Sequence, residues 1–484
     1  MQIIERDRAE KAIRDVQELL TNGRYQEAKD ATIAFLQEEK LVAQMWVWLG
    51  EALEHLGDKA GAWKAYDRAC LLDPQATWVA RVEQRLAQFR QAVTPPWMAQ
   101  LLAVKPVTVA AAIIVRDEER TIGETIDRLR PAVDQIVVVD TGSTDNTVEI
   151  IRNQGVEPLH FAWVDDFSAA RNFALSHVTT DWVFCVDADE LLFPEDVAQV
   201  RTVAGLFDGV EPAALVRIGI MNQAAGRVEP NYDVTRLFPA RIGLRFWGRV
   251  HEQVAGPEGI LSGTAYYRPS ARIRLYHDGY EPDMTVQKDR FKRNISLLRK
   301  NVEDDPRDIA SWAFLGRELL FSGEVEEGVR ALYEADRLAP DIPQFGRMPE
   351  VWMFLIDALA AQGRFDEAIT VAKRAVESRP DFPATWYAKG RAQTQFALNN
   401  LSQAQEAVRE ALTRAPAYRG IVSYDSSITT WRALATLGDI AKTKGNLVEA
   451  RQLYRQALVA SPGNPALEQQ LQFIDEQARL LAGS

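Results

Sequence analysis

The chain has 484 residues, enough for two to four domains with substantial cores, and its 47% hydrophobic and 26% charged residues are ordinary for soluble globular protein. A formal net charge of −12 argues against general nucleic-acid or anionic-membrane binding, so an anionic ligand would need local arginines, helix N-termini or a metal. Cys70 and Cys185 read as two core thiols in a reducing compartment; the charged start MQIIERDRAE and the lack of any apolar run near ~20 residues predict a cytoplasmic protein with no transmembrane segment.

The first element is a repeat. Trp46-x2-Leu49-Gly50, Leu53, Ala62, Tyr66, Ala69 and Pro74 fit the helix–turn–helix tetratricopeptide pattern of about 34 residues. Gly23 and Ala28 stand 34 residues before Gly57 and Ala62, so an earlier unit precedes it, and residues 1–94 are expected to be repeats. PPWMAQLLAVKP, 95–106, carries three prolines and is expected to be a linker.

The periodicity then changes. VTVAAAIIV (107–115), QIVVVD (135–140), EPLHFAW (157–163) and DWVFCVD (181–187) have strand length and alternate with helical TIGETIDRLR, TVEIIRNQG and SAARNFALSH. A capping box, Thr121-x-x-Glu124, is expected to open the first helix. Continuous apolar strands separated by helices imply a parallel sheet covered on both faces. After residue 210, AALVRIGI, VTRLF, FWGRVHEQV and ARIRLYH are expected as strands without long helices between them, a mixed half.

Ligands of open α/β sheets sit at the carboxyl ends of the strands, and each early strand here ends in polar residues. They are Arg116-Asp117-Glu118-Glu119, then Asp140-Thr141-Gly142-Ser143, then Asp165-Asp166, then Asp187-Ala188-Asp189-Glu190. Acids that cap helices are common, but four such clusters on one rim suggest chemistry. In an extended Asp187-Ala188-Asp189 both carboxylates would point to one side, with Ala188 facing away. One could accept ribose hydroxyls and the other bind Mg²⁺ or Mn²⁺ bridging a diphosphate. The bland alternative is an N-cap cluster for a helix near Pro194-Glu195-Asp196.

From 303 the repeat returns. Trp312-x2-Leu315-Gly316, Trp352-x2-Leu355, Trp386 with Gly390, and Leu437-Gly438 open four units, with extra residues near DIPQFGRM and Asn399-Asn400. A last amphipathic helix, about 464–481, is expected to cap the stack.

In order, IIVRDEERTIGETI, VVVDTGSTDNT, WVDDFSAARNFAL, VDADE, GRVHEQ and YHDGY resemble the family 2 glycosyltransferases of GT-A fold. More narrowly they resemble the bacterial subgroup fused to tetratricopeptide repeats, akin to peptide S-glycosyltransferases. The resemblance implies an α/β GT-A catalytic domain over 107–285, a connecting helix over 286–302 and all-α repeats over 303–484. It also implies inverting transfer of a sugar from a nucleotide-sugar donor, usually a UDP-sugar, to a protein, peptide or glycan acceptor. By position, Arg116 and Glu118 lie in the first nucleotide-binding loop, Asp140 beside the base and Arg171 near the nucleotide. Asp187, followed by Ala188, would meet ribose; Asp189 and His277 would hold the Mn²⁺ or Mg²⁺. Thr141 stands where the familiar form has a second Asp. Glu252 is the expected base, with His251 as supporting ligand or orienter; the reverse assignment is open. Arg236 and Arg249 could meet phosphate or acceptor, or be surface salt bridges.

Nucleotidyl transfer would want a glycine-rich loop after the first strand, and VRDEER lacks one. A repeat scaffold with an inactive transferase domain is the alternative. A repeat-mediated protein partner or a homodimer remains open, and no nucleic-acid partner is expected.

Overall fold

The computed structural model describes residues 6–89, 93–222, 230–259, 265–277, 284–396 and 401–482. It forms two units, 1–282 and 283–484. The extra residues near Asn399-Asn400, and Asp278 to Tyr280 of HDGY, lie outside the described residues.

The first unit is built on an eight-stranded mixed sheet. Its strands are β1 (Val109–Val115), β2 (Gln135–Asp140), β3 (Leu159–His160), β4 (Trp182–Cys185), β5 (Glu190–Leu192), β6 (Val216–Asn222) and β7 (Pro230–Pro239). A hairpin, β8 (Arg245–Trp247) and β9 (Gln253–Ala255), stands outside the sheet, and β10 (Ser270–His277) returns to it. The order is β3-β2-β1-β4-β7-β6-β10-β5. β3, β2, β1 and β4 are parallel, so their carboxyl ends share one rim; β7 runs antiparallel to β4 and β6, and β10 parallel to β6. The expected parallel half feeding a mixed half is therefore observed.

Both faces are covered, as continuous apolar strands require. Along β1, Val109, Ala111, Ile113 and Val115 face helices 122–129 and 197–207, while Ala112 faces Ala174, Phe246 and Val254 on the other side. Trp182 is wholly buried and donates its indole N–H to Asp208 (2.9 Å), which satisfies the one polar atom of a large apolar group. At Gly205 a Cβ would lie 2.2 Å from the Lys105 carbonyl oxygen, so glycine lets helix 197–207 touch the chain entering β1.

Several local expectations fail for identifiable reasons. FWGRVHEQV is not one strand but two, turning at Gly248, whose φ of +93° a larger residue would resist. EPLHFAW contributes only Leu159 and His160 to the sheet. Thr121 forms no capping box: its hydroxyl donates to Glu118 (3.2 Å), while Glu124 takes Arg128 one turn on. The 95–106 stretch contains a helix, Pro96–Leu102, because proline is tolerated in a first turn. Met98 and Leu101 of that helix are buried in the repeat core.

The N-terminal helices, paired over 6–21 with 25–38 and 43–55 with 59–72, pack directly on this domain. Leu71 is buried in the same core as β1 and β10. Arg272 of β10 donates to Asp67 (2.5 Å), and Arg68 to the Leu102 carbonyl (2.8 Å). Cys70 and Cys185 are free and buried; burial pushes the Cys185 thiol up to about 12, leaving it a protonated packing group.

In the second unit the long helix Met284–Asp304 leads into paired helices 309–322 with 325–338, 348–361 with 365–378, 383–396 with 401–414 and 431–443 with 447–460. Helix Pro465–Ala482 closes the series with Leu467 and Ile474 packed on Tyr454. Among the described residues no helix is long and apolar enough to cross a membrane.

Candidate active site

The four acidic loops meet at the carboxyl rim of β1 to β4. The first two are stapled together. Ser143 Oγ accepts the Asp117 amide (2.9 Å), Asp117 Oδ1 accepts the Thr144 amide (2.7 Å), and Thr147 Oγ1 accepts the Glu118 amide (2.8 Å). Asp140 gives its two oxygens to the amides of Gly142 (3.1 Å) and Ser143 (3.0 Å), so it shapes its own turn. Arg116 stays on the exposed rim, 3.6 Å from Asp117.

Asp187-Ala188-Asp189 is not extended. The Glu190 amide donates to the Asp187 carbonyl (3.0 Å) and the Asp187 amide to Glu190 Oε2 (2.8 Å), closing a turn directly after β4. The two aspartates consequently serve different partners, contrary to the shared-side expectation. Ala188 turns into the core and its carbonyl accepts Thr125 Oγ1 (2.9 Å).

Asp187 lies between two buried arginines. Arg171 Nη2 reaches Oδ1 (2.6 Å); Arg236 Nη2 reaches Oδ2 (2.5 Å) and continues to Glu190 Oε1 (2.8 Å). The other edge of Arg171 donates from Nε to Glu252 Oε1 (2.5 Å). One guanidinium thus joins the carboxylate after β4 to the carboxylate in the β8–β9 turn. Such charge-assisted pairs are the strong kind of hydrogen bond. Burial alone would raise the Asp187 carboxyl, but Arg236 and Arg171 outweigh it and hold it well below the usual carboxylate range. Glu190, wholly enclosed, is pushed up to about 7 by burial, against the pull of Arg236. About a third of the Asp187 side chain still meets solvent, so the clamp has an open face. Arg236 is therefore neither a surface ion pair nor free for phosphate.

Helix 167–176 positions the hairpin. Ser168 Oγ donates to the Gly248 carbonyl (2.6 Å), the Phe167 amide to that of Arg249 (2.9 Å), and Asn172 pairs twice with the Phe246 backbone (2.8 and 2.9 Å). Arg171 and Asn172 of the AARN stretch therefore fix the turn that carries His251 and Glu252. Among the described residues, the three non-glycine residues with positive φ, Asp117 (54°), Asp165 (59°) and His251 (53°), all lie in these loops. Backbone strain of this kind collects at functional sites.

A second cluster sits beside the clamp. His277, at the end of β10, pairs with Asp189 Oδ2 (3.1 Å), and that bond raises the imidazole above its ordinary value. Burial raises the Glu118 carboxyl, and the charge on Asp189 raises it further, so two carboxylates crowd one place. No group of three or more His, Cys, Asp or Glu among the described residues is arranged to hold a metal. Asp189 Oδ2 and His277 Nε2 are the two groups at this place that could each offer a ligand atom to a cation.

Sequence reasoning missed the Arg236–Glu190 underpinning and the Ser168 and Asn172 contacts. An arginine inside the apolar strand of VTRLF was the signal available for the first. The partners of the others lie 74 to 80 residues away in the chain and left none.

A mixed sheet with acids on its carboxyl rim stands, in sequence, between two sets of helical repeats. Residues 111–204 match the family model Glycosyl transferase family 2, and 14–77, 349–392 and 389–465 match tetratricopeptide repeat models. A TPR repeat-containing protein of Synechococcus elongatus is 30% identical over 279 residues, 56% of this chain and 67% of that protein. The prophage-derived glycosyltransferase SunS of Bacillus subtilis is 29% identical over 224 residues, 46% of this chain and 51% of SunS, so the chain spans about half of that relative. The solved glucosyl-3-phosphoglycerate synthase of Mycobacterium tuberculosis covers 24% of this chain and 44% of its own at 24% identity, with a TM-score of 0.21, too low to weigh. The chain carries a glycosyl transferase family 2 domain together with tetratricopeptide repeats.

Proposed function

We propose that the protein transfers a sugar, with inversion, from a nucleotide-sugar donor, a UDP-sugar first, to a protein, peptide or glycan acceptor. The observation that carries this is the Arg171 bridge between Asp187 and Glu252. It sets two carboxylates on either side of one guanidinium, one for the donor and one for the acceptor.

In this reading the open face of Asp187 accepts the ribose hydroxyls, and Arg171 and Arg236 keep that carboxylate ionised and fixed. Asp140 and Glu118 border the base and phosphates. Asp189 and His277 would hold Mn²⁺ or Mg²⁺, which when bound would neutralise charge on the departing diphosphate. The acceptor atom forms its bond to the anomeric carbon from the face opposite the diphosphate, the carbon–oxygen bond to the diphosphate breaks, and Glu252 takes the acceptor's proton. Arg171 Nε, bonded to Glu252 Oε1, holds that carboxylate in place. His251, held in the same turn, orients the acceptor or Glu252.

The test is nucleotide release from UDP-, GDP- and TDP-sugars, with and without Mn²⁺. Wild type should release nucleotide from one donor, and Asp189→Asn should lose at least about 100-fold of the metal-dependent rate. If neither release nor metal-dependent nucleotide binding is found, the inactive-scaffold reading replaces this one.

A further inference from the structure

The connection between β3 and helix 167–176 spans residues 161–166 and touches both ends of the candidate site. At its start His160 stands 3.6 Å from Asp140. At its end the Phe167 amide donates to the Arg249 carbonyl (2.9 Å) and Ser168 Oγ to that of Gly248 (2.6 Å), in the turn that bears Glu252. Trp163 belongs to this second end, because its ring meets Phe167 edge-on with 4.7 Å between centroids.

Two aromatics near it have a packing role. Phe161 and Phe173, 5.3 Å apart, join the core lined by Ala112, Val139 and Val183. Among the described residues, Trp163 and Val164 are not part of that core. Trp163 is half-buried, and Val164 is 58% exposed. The indole N–H of Trp163 donates to Asp165 Oδ1 (3.0 Å), and Asp165 is held at a φ of +59°. A tryptophan whose N–H is already bonded offers a ligand only its apolar ring. One exposed valine is ordinary. A valine beside an open indole, one ring contact and one backbone hydrogen bond from the Glu252 turn, is a patch placed where an acceptor must approach.

Polar groups separate the candidate occupants. A glycan would want hydrogen-bonding partners for its hydroxyls beside the ring, whereas an apolar side chain wants only surface. The carboxylates next in the chain are engaged: Asp165 Oδ1 holds the indole, and Asp166 Oδ1 accepts the Ala169 amide (3.0 Å) at the start of the helix.

We infer that Trp163 and Val164 form an acceptor subsite for an apolar side chain of a peptide, next to the residue that receives the sugar. This rests on the transferase reading and narrows its acceptor. The pair touches the acceptor away from the reacting atoms, so it acts on acceptor KM more than on kcat.

The probe is a set of short synthetic peptides with a central Ser, Thr, Cys or Asn flanked by Phe, Leu, Ala, Asp or Lys. The full chain receives them with nucleotide-sugars and Mn²⁺; peptide-stimulated nucleotide release and peptide binding by fluorescence polarisation are both read. Peptides flanked by Phe or Leu should bind best and stimulate most. Trp163→Ala and Val164→Glu should each raise their KM at least about 10-fold with a smaller change in kcat, and Trp163→Phe should recover most of the affinity. Val164 is exposed, so its variant decides the matter even where Trp163→Ala folds poorly. Nucleotide binding, measured by calorimetry, separates the two levels. A wild type that binds no nucleotide overturns the transferase reading and the subsite with it. A wild type that binds nucleotide but shows no peptide preference dependent on Trp163 or Val164 overturns the subsite alone. Preference for Asp- or Lys-flanked peptides, stimulation by free oligosaccharides and not by peptides, or an equal loss of nucleotide and peptide affinity in Trp163→Ala would each overturn it as well.

Discussion

The same helix–turn–helix repeat is used at both ends of this chain, with opposite outcomes. Near the N-terminus it shares a hydrophobic core with the eight-stranded sheet; in the second unit it builds its own succession of cores. The register shows where they part. Two residues past the repeat alanine stands Leu71 after Ala69, buried, whereas after Ala335, Ala375, Ala411 and Ala457 the same place holds Arg337, Glu377, Thr413 and Val459, all exposed. The repeat pattern fixes how two helices meet each other, through Gly50 on Tyr66 or Gly316 on Leu332. It says nothing of the outward face, where a single residue class decides whether another domain can dock.

The largest effect should come from exchanging that residue. Leu71→Arg puts an unpaired charge into the core beneath β10 and should cost about 4 kcal/mol or more in urea denaturation of the first unit. Val459→Arg, at an 81%-exposed position in the same register, should change stability by less than about 0.5 kcal/mol. Equal effects would mean the shared core is not what joins the N-terminal repeats to the sheet.

Next in size is the ion pair across the same seam. Arg272 and Asp67 are mostly buried, and Arg272→Ala leaves Asp67 with a lost partner, a cost of about 2 kcal/mol after allowing for the solvent Asp67 retains. Arg337→Ala, which removes an exposed pair with Glu334 at 2.8 Å in the second unit, should cost no more than about 0.5 kcal/mol. Urea midpoints of the two variants, measured side by side, check the difference.

This contrast also explains what the sequence could disclose. Repeats, the parallel half of the sheet and the strand-end places of Asp187 and His277 were legible because each rests on local periodicity, whereas Glu252 falls in a run that reads as one strand and lies instead in the turn between β8 and β9. The linker was misjudged because Pro96 can begin a helix as readily as end one. The extended Asp187-Ala188-Asp189 was misjudged because Glu190 competes for the backbone: a carboxylate that caps its own turn outbids continuation of the strand. Nothing local pairs Arg236 with Asp187 across 49 positions, or Asn172 with Phe246 across 74. Such contacts exist only once β7 and the hairpin have been placed.

The smallest expected effect follows the seam to its far end, because β10 carries Arg272 near its start and His277 at its close. All five histidines lie within the first 277 residues, so the second unit has no imidazole to titrate. The bond to Asp189 raises His277, which means the folded chain binds a proton there more tightly than the unfolded chain does. Stability from this pair is fully present below the ordinary value of about 6.5 and is lost as pH rises through the higher folded value. With metal chelated, hydrogen exchange of β10, corrected for the intrinsic rate, should quicken between pH 6 and pH 9. Helices of the second unit should show no matching change. In Asp189→Asn the β10 response should flatten, because an amide no longer favours the charged imidazole. A β10 response that survives in Asp189→Asn would show that some other group sets the pH dependence there, and that the strand linking the repeat seam to the rim does not report on this pair.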